Sequence, residues 1–309
     1  GSGKKRKKKQ KNKKRTTPAT DAQDAFLSMD PGKTPSHPFV LRARTRPLPR
    51  DEMERNVVDG ASLLRDSSWL GDVSTASFAR AVAERAQLEL AAIDCEMCTT
   101  GEGSELTRIS VVSVTGETVY DALVKPDNKI LDYCTPYSGI TRSMLVGVKR
   151  RLADVHADLF GAGHAAASGK AAGKAAGTAA GKAAGSADPA AASRLPLIGK
   201  HTVLVGHSIE NDLKALQLLH DRVIDTALLY PHPRGPPYRS ALRFLSKKWL
   251  GRQIQTAKSK DEGHDSVEDA LAALDLTLMK LHCGPTFGTS ANSALNGESV
   301  FAWLQREGL

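Results

Sequence analysis

The stretch Leu-Glu-Leu-Ala-Ala-Ile-Asp-Cys-Glu-Met at residues 88–97 is a short apolar run that ends in two acids. If the run is a buried strand, its side chains alternate between two faces, so Asp94 and Glu96 share one face. Two carboxylates there repel each other and are costly to desolvate, and a divalent cation with hard oxygen ligands relieves that cost. A strand that runs out into solvent with two exposed acids explains the same pattern.

The positive charge of the chain belongs to segments outside the expected core. Residues 4–15 carry ten Lys or Arg and no acid, which exceeds the net charge of +9 of the whole chain. The Ala/Gly-rich tract at 161–194 is also basic, so the remainder is slightly acidic. A dense basic run is typical of a nuclear-localisation or nucleic-acid-binding segment, although a solubilising tail has the same composition.

The composition disfavours a membrane protein and a disulfide-rich secreted protein. No apolar run approaches the roughly 20 residues that cross a bilayer, and no signal-peptide pattern is present. The four cysteines lack the spacing of a disulfide framework and suit a reducing compartment. We therefore expect no membrane association.

The hydrophobic pattern predicts an α/β fold. Residues 107–115 and 118–125 alternate and follow the first run closely, which predicts an antiparallel meander of three strands. Later segments alternate between helix and strand, which favours a mixed central sheet flanked by helices. Further strands are predicted at 201–206 and 223–225, and helices at 78–85, 141–160 (broken near Gly147), 209–219, 239–250 and 266–282.

Composition also divides the chain into regions. We assign a basic disordered tail with an Arg/Pro-rich arm at 1–50, a helical lead-in at 51–87, a folded domain at 88–284 and a C-terminal tail at 285–309. The domain is interrupted at 161–194, where recurrent Gly cancels the helix preference of Ala. We predict a flexible insertion there.

Two further acids and one histidine complete a candidate cluster. Asp212 falls on the apolar stripe of its predicted helix, where acids are unusual, and a bound metal would explain it. Its position near the helix N-terminus, which favours an acid, is the alternative explanation. Asp269 follows Ser266 with the spacing of a capping box, which is its structural interpretation. His264 lies on a turn just before that helix, and its near-neutral pKa suits it to accept a proton from water.

Other chemistry-bearing residues have weaker patterns. Cys95 and Cys98 match C-x-x-C, but no second Cys/His pair has zinc-ligand spacing, so Cys95 is better interpreted as a buried apolar residue. His201, His207 and His220 show no partner spacing, and we expect them to be structural.

Three motifs carry these residues in chain order. Asp94-Cys-Glu-Met97, Gly206-His-Ser-Ile-Glu-Asn-Asp212 and Gly263-His-Asp-Ser-Val-Glu-Asp269 resemble the three motifs of DEDDh 3′→5′ exonucleases. Within that superfamily the chain most resembles the Rex-type eukaryotic RNA exonucleases, with further matches at Leu123-Val-Lys-Pro126 and Ile224-Asp-Thr226. The resemblance covers about residues 88–284 and is interrupted by the Ala/Gly-rich insertion.

The resemblance implies the ribonuclease H-like exonuclease fold and a metal-dependent exoribonuclease that acts on RNA with a free 3′ end and releases nucleoside 5′-monophosphates. His264 would be the general base, and Met97 would line the pocket of the terminal nucleotide. Two divalent cations, Mg²⁺ or Mn²⁺, would activate water and stabilise the leaving oxygen. Their ligands would be Asp94, Glu96, Asp212 and Asp269.

The sequence leaves two alternatives open, a DNA-directed DEDDh exonuclease and a catalytically inactive nucleic-acid-binding relative. With the basic run at 4–15, the leading hypothesis implies nuclear or nucleolar RNA 3′-end trimming or turnover, such as rRNA processing. The sequence does not specify the physiological RNA, protein partners or oligomeric state.

Overall fold

The structure, a computed structural model, describes residues 38–67, 78–161, 195–256 and 263–289. Within them the strands are β1 (Ala79–Arg80), β2 (Leu90–Thr100), β3 (Gly103–Ser113), β4 (Thr118–Leu123), β5 (Ile130–Asp132), β6 (Val203–Gly206), β7 (Leu218–Leu219) and β8 (Val223–Asp225). The helices are α1 (Pro38–Ala43), α2 (Arg50–Asn56), α3 (Gly60–Asp66), α4 (Thr135–Ser138), α5 (Leu152–Phe160), α6 (Glu210–Ala215), α7 (Thr226–Leu229), α8 (Leu242–Leu245) and α9 (Ser266–Cys283).

The main sheet has the strand order β4-β3-β2-β6-β8, and β5 pairs with the far end of β2. Strands β2, β3 and β4 form an antiparallel meander, as the sequence predicts, whereas β6 and β8 run parallel to β2. The expected α/β fold, with a mixed sheet flanked by helices, is confirmed.

Strand β2 is the centre of the domain because both of its faces are buried. Leu90 and Ala92 belong to the core that α9 covers, and Ala91 and Ile93 belong to the core on the opposite face, under α3, α5 and α6. A strand covered on both sides must be apolar throughout, which explains the continuous apolar run before the acids.

Several predicted elements differ from the structure. Residues 78–85, predicted as helix, contain the short strand β1 and loop, because β1 pairs in parallel with β7. Helix α6 ends at Ala215, where the positive φ of Gln217 reverses the chain into β7. Residues 141–151 form turns, and α5 begins only at Leu152. Helix α8 begins at Leu242 and continues as the π-helical turn Ser246–Leu250. Helix α9 confirms the helix predicted at 266–282.

The regions expected at the ends of the chain and in the insertion lie largely outside the described residues. These are residues 1–37, 162–194 and 290–309. No helix within the described ranges is long and apolar enough to cross a membrane.

The described part of the Arg/Pro-rich arm packs on the domain through a buried ion pair. Arg44, just after α1, donates two hydrogen bonds of 2.9 Å to the carboxylate of Asp275 in α9. Arg252 donates a third, also of 2.9 Å, and the Asp275 side chain is fully buried. Arg44 thus has a structural role, since its guanidinium group fastens α1 to the central helix.

We expect Asp275→Ala to lower the free energy of unfolding by about 3–5 kcal/mol, because two buried guanidinium groups lose their countercharge. Arg50→Ala is the matched control, since Arg50 pairs with Glu89 at the surface and such pairs contribute about 1 kcal/mol or less. Urea unfolding measures both. Equal stabilities of the two variants would contradict the structural role of the buried pair.

Candidate active site

The first two acids of the site lie in the middle of β2, just beyond the point where its pairing with β6 stops. Asp94 and Glu96 pair with Ser110 and Arg108 of β3, and a β-bulge follows Glu96. The parallel partner β6 reaches only as far as Ala92. Beyond that point the opposite edge of β2 is free of β6, and a side chain from another element can reach its backbone.

Asp212 takes this place on the edge of β2. Its Oδ1 accepts a hydrogen bond of 2.8 Å from the backbone N–H of Cys95, between the two acids. The Asp212 side chain is buried, as expected from its position on the apolar stripe. The hydrogen bond therefore fixes the start of α6 beside Asp94 and Glu96.

Asp269 reaches the site from the first turn of α9. The helix is capped by Asp265, whose carboxylate accepts from the N–H of Val267, so the alternative interpretation of Ser266 and Asp269 as a capping box does not hold. Ser266 instead bonds to Ser110 of β3, with 2.6 Å between the two hydroxyl oxygens. Asp269 therefore does not cap the helix, and its buried side chain lies with Asp94 and Glu96 of β2.

His264 is positioned by a close contact between two backbone turns. A Cβ on Gly263 would lie 1.8 Å from the nitrogen of Gly139, so only glycine fits there. The N–H of His264 donates to the carbonyl of Tyr137 at 2.8 Å. The imidazole Nδ1 lies 3.7 Å from Oδ2 of Asp269, which is beyond hydrogen-bond distance.

These elements enclose an acidic cleft of about 320 Å³. Asp94, Glu96, His264 and Asp269 line it, and Asp212 lies behind it on the edge of β2. Met97 does not line this cleft. It lines an adjoining hollow of about 300 Å³ that shares Glu96 and also includes Tyr137.

Burial raises the pKa of all four carboxyl groups, and for Asp94 and Glu96 the charges of the other site acids add to it. Burial is the largest cause in each case, and for Asp94 the charges of Asp212 and Asp269 add to it. Burial and the charge of Asp269 raise the pKa of Glu96 to about 9. Arg108 opposes these shifts but is itself occupied by Asp121 in a bidentate ion pair.

The donor set of the cleft fits divalent cations. Among the described residues, no three Asp, Glu, His or Cys side chains already have the spacing of a closed metal site. Two buried oxygens, Oε1 of Glu96 and Oδ1 of Asp269, nevertheless have no hydrogen-bond partner. Buried polar atoms are rarely left unpaired, and carboxylate oxygens are the ligands that Mg²⁺ and Mn²⁺ prefer. A divalent cation held by these carboxylates would supply the missing partners.

Sequence reasoning missed two residues on the cleft. Gln255, held at a positive φ, donates from Nε2 to Oδ2 of Asp269 at 2.8 Å. The signal for it in the sequence is that Ile254-Gln255 also resembles the Rex-type exonucleases. His207 was expected to be structural but lines the cleft, with Nδ1 2.9 Å from the hydroxyl of Thr226. Burial and the charge of Arg239 lower the pKa of His207 to about 4, so this imidazole is neutral.

Of the remaining sequence candidates, Cys95 borders the cleft between the two acids, whereas His201 and His220 lie away from it. Cys95 and Cys98 are buried free thiols, as the apolar interpretation of Cys95 expected. His220 is buried and bonds to the carbonyl of Thr202 at 2.6 Å. His201 lies at the surface beside Glu84.

Replacing Glu96 by glutamine should stabilise the metal-free protein at alkaline pH. Burial raises the pKa of Glu96 from 4.5 to about 9. The free energy of unfolding is therefore unaffected by this group below pH 4.5 and falls as the pH rises toward 9, because only the unfolded chain ionises it readily. With EDTA present, we expect Glu96→Gln to melt higher than the wild type by roughly 4–10 °C at about pH 8.5, and the gain to shrink toward about pH 5.

Glu102→Gln is the control, because Glu102 is exposed in the turn after β2. A Glu96→Gln variant that melts no higher than the wild type at alkaline pH would show that this carboxylate is not under strain.

Curated proteins of known name match most of the chain, although no family model matches it. RNA exonuclease 1 of Saccharomyces cerevisiae is 38% identical over 216 residues, which are 70% of this chain and 31% of that protein. RNA exonuclease 5 of Bos taurus is 38% identical over 215 residues, or 70% of this chain and 22% of that protein. The chain thus spans about a third or less of the length of these relatives.

Solved structures with a similar fold are the nuclease-containing modules of Pan2. The Saccharomyces cerevisiae module in complex with AAGGA RNA covers 71% of this chain and 32% of that chain, with 23% identity and a TM-score of 0.46. The Neurospora crassa catalytic unit covers 61% and 26%, with 22% identity and a TM-score of 0.44.

Over about seven-tenths of its length, this chain is 38% identical to the matching segments of these relatives named RNA exonuclease. Together with the acidic cleft, this similarity leads to one conclusion. The chain belongs to the family of proteins named RNA exonuclease.

Proposed function

We propose that the chain is a metal-dependent 3′→5′ exoribonuclease that releases nucleoside 5′-monophosphates from RNA with a free 3′ end. One observation carries the proposal. Buried oxygens of Glu96 and Asp269 lack partners in a cleft that also presents the imidazole of His264. The similarity to proteins named RNA exonuclease supports RNA as the substrate.

Asp94, Glu96, Asp212 and Asp269 would hold two divalent cations, Mg²⁺ or Mn²⁺. Bound there, the cations supply positive charge that stabilises the developing negative charge of the phosphoryl group and leaving oxygen. The backbone hydrogen bond from Cys95 keeps one oxygen of Asp212 directed at the strand. The Gln255 amide similarly orients Asp269.

His264 is the proposed general base. Burial, and then the charge of Arg243, lower the pKa of this imidazole, so it is neutral and able to accept a proton at physiological pH. It takes a proton from the attacking water while oxygen bonds to the phosphorus of the last phosphodiester. The bond from phosphorus to the 3′ oxygen of the preceding nucleotide breaks, which leaves a 5′-monophosphate and a shortened RNA.

The hollow beside Glu96 suits the terminal nucleotide. It measures about 300 Å³ and is lined by Met97 and Tyr137, among others. Apolar and aromatic side chains accept any base by stacking, which agrees with removal of nucleotides without strict sequence preference. Met97 is therefore the proposed substrate-binding residue.

We further infer a nuclear role in RNA 3′-end trimming or turnover, with rRNA processing as one form of it. The basis is the run of Lys and Arg at residues 4–15, whose composition is typical of nuclear targeting.

Degradation of a 5′-labelled single-stranded RNA tests the activity. With Mg²⁺ or Mn²⁺ we expect a ladder that shortens from the 3′ end, and EDTA should abolish it. His264→Ala should slow the reaction by about 10²–10⁴-fold, as expected for loss of a general base, and Asp94→Asn should remove a proposed cation ligand and slow it at least as much.

His201→Ala is the matched control and should retain full activity, because His201 lies at the surface away from the cleft. Cleavage of a matched DNA but not of RNA would move the assignment to a DNA-directed exonuclease. Binding of RNA without any cleavage would identify an inactive relative.

Addition of Mn²⁺ or Mg²⁺ should raise the melting temperature of the protein. A cation at 100 times its dissociation constant adds about 2.7 kcal/mol to the stability of the folded state. We expect Asp269→Asn to abolish most of this shift and Asp221→Asn, an exposed carboxylate, to retain it. The same shift in both variants would exclude the proposed ligand set.

A further inference from the structure

A long basic segment adjoins the acidic cleft. Residues 226–256 contain no Asp or Glu, although the folded part of the chain is slightly acidic. Their cationic residues are Arg234, Arg239, Arg243, Lys247, Lys248 and Arg252. Two of these have structural partners, since Arg239 pairs with buried Glu210 and Arg252 with Asp275. The others need a different explanation.

Four residues of this segment form one exposed face. In α8 and the π-helical turn after it, Leu242, Leu245 and Trp249 are buried in the core. The exposed residues between them are all cationic or aromatic. They are Arg243, Phe244, Lys247 and Lys248, which we call the basic platform.

No carboxylate among the described residues pairs with the cations of the platform. Lys248 Nζ instead lies 5.8 Å from the ring centre of Phe244, and 53% of Phe244 is exposed. A helix face that serves only solubility usually mixes both signs of charge. An exposed phenyl ring among three cations is the composition of a surface that binds single-stranded nucleic acid.

The platform is continuous with the cleft. Ala241 and Leu242, which directly precede it, line the cleft with Glu96 and His264. Arg243 follows Leu242 directly in α8. A chain whose 3′ end occupies the cleft therefore passes these residues when it leaves along this wall.

We propose that the basic platform binds the single-stranded RNA that precedes the terminal nucleotide. Lys247 and Lys248 contact its phosphates, and Phe244 stacks on a base. This inference rests on the proposed function for its substrate. It also explains how an acidic cleft attracts a polyanion, because the carboxylates repel phosphate while the neighbouring wall attracts it.

Arg234 and Tyr238 extend the same chemistry along the segment. The guanidinium carbon of Arg234 lies 3.7 Å from the ring centre of Tyr238, and 48% of Tyr238 is exposed. A second cation and aromatic pair upstream of the platform allows the contact to continue over further nucleotides.

Binding of a 5′-fluorescein-labelled RNA of roughly 20 nucleotides, followed by anisotropy in EDTA at several salt concentrations, tests the platform. We expect the double variant Lys247→Glu/Lys248→Glu to bind at least about 10-fold more weakly and the slope of log K against log salt to fall by about 1.4. Phe244→Ala should weaken binding by about 5- to 100-fold and Phe244→Trp should restore it, since either ring can stack.

The matched control is Arg85→Glu/Lys200→Glu, which makes the same change of charge at exposed residues near the opposite end of β2. Melting curves of all variants establish that they are folded. Equal affinity and salt slope for the platform and control variants would overturn the proposal, and so would equal binding by Phe244→Ala and Phe244→Trp.

The binding assay needs no turnover, so the two proposals fail separately. A wild type that cuts no RNA but loses affinity in the platform variant contradicts the exonuclease and supports the platform. A wild type that cuts RNA while the platform variant binds like the control supports the exonuclease and overturns the platform. In an active enzyme, the platform variant should lower the ratio of kcat/KM for the long RNA to that for a dinucleotide.

Discussion

Buried carboxylates repel each other beside the middle of β2, and the surrounding fold has to hold them together against this repulsion. Asp94, Glu96, Asp212 and Asp269 approach from three elements, and burial makes each costly to ionise. Such an arrangement stays folded only if the elements that carry the acids are held firmly by other contacts. The domain supplies these contacts with a doubly covered sheet and a long buried helix.

Two of the acids are held by hydrogen bonds to their carboxylates, and further contacts hold the elements that carry them. The backbone of Cys95 holds Asp212, the hydroxyl pair of Ser110 and Ser266 holds the start of α9, and Gln255 holds Asp269. The ion pairs of Asp275 fasten α9 to α1 and to the segment after α8. The contact of Gly263 with Gly139 fixes His264 to the turn that also forms the adjoining hollow. The ion pairs of Asp275 and the glycine contact thus hold the elements of the site in place against the repulsion between the carboxylates.

The charges around the cleft are divided between two walls. Carboxylates converge in the cleft beside β2, where they suit cations. The exposed Lys and Arg side chains of the basic platform lie next to the cleft. A phosphodiester needs both, because its negative charge must be attracted over a distance and its reacting phosphorus must meet positive charge held close. For the proposed exonuclease, this division would reconcile a slightly acidic folded part with a polyanionic substrate.

The sequence by itself determined the central strand, the meander, the long helix and the identity of the acids. These follow from patterns of period two and 3.6 and from acids placed where apolar residues are expected. Local sequence could not reveal that 78–85 pairs as a strand with β7, because that pairing depends on residues more than a hundred positions away. For the same reason it gave no account of how Gln255 and His207 reach the cleft.

Residues of the same type have different roles that become visible only when the chain is folded. Arg44 and Arg243 are alike in sequence, yet one is buried against Asp275 and the other is exposed beside the cleft. Asp265 and Asp269 both begin α9, but the geometry of the cap assigns the first to the helix and leaves the second to the site. The physical reason is that a charge acquires its role from the partners that packing brings within a few ångströms, and these partners are distant in the chain.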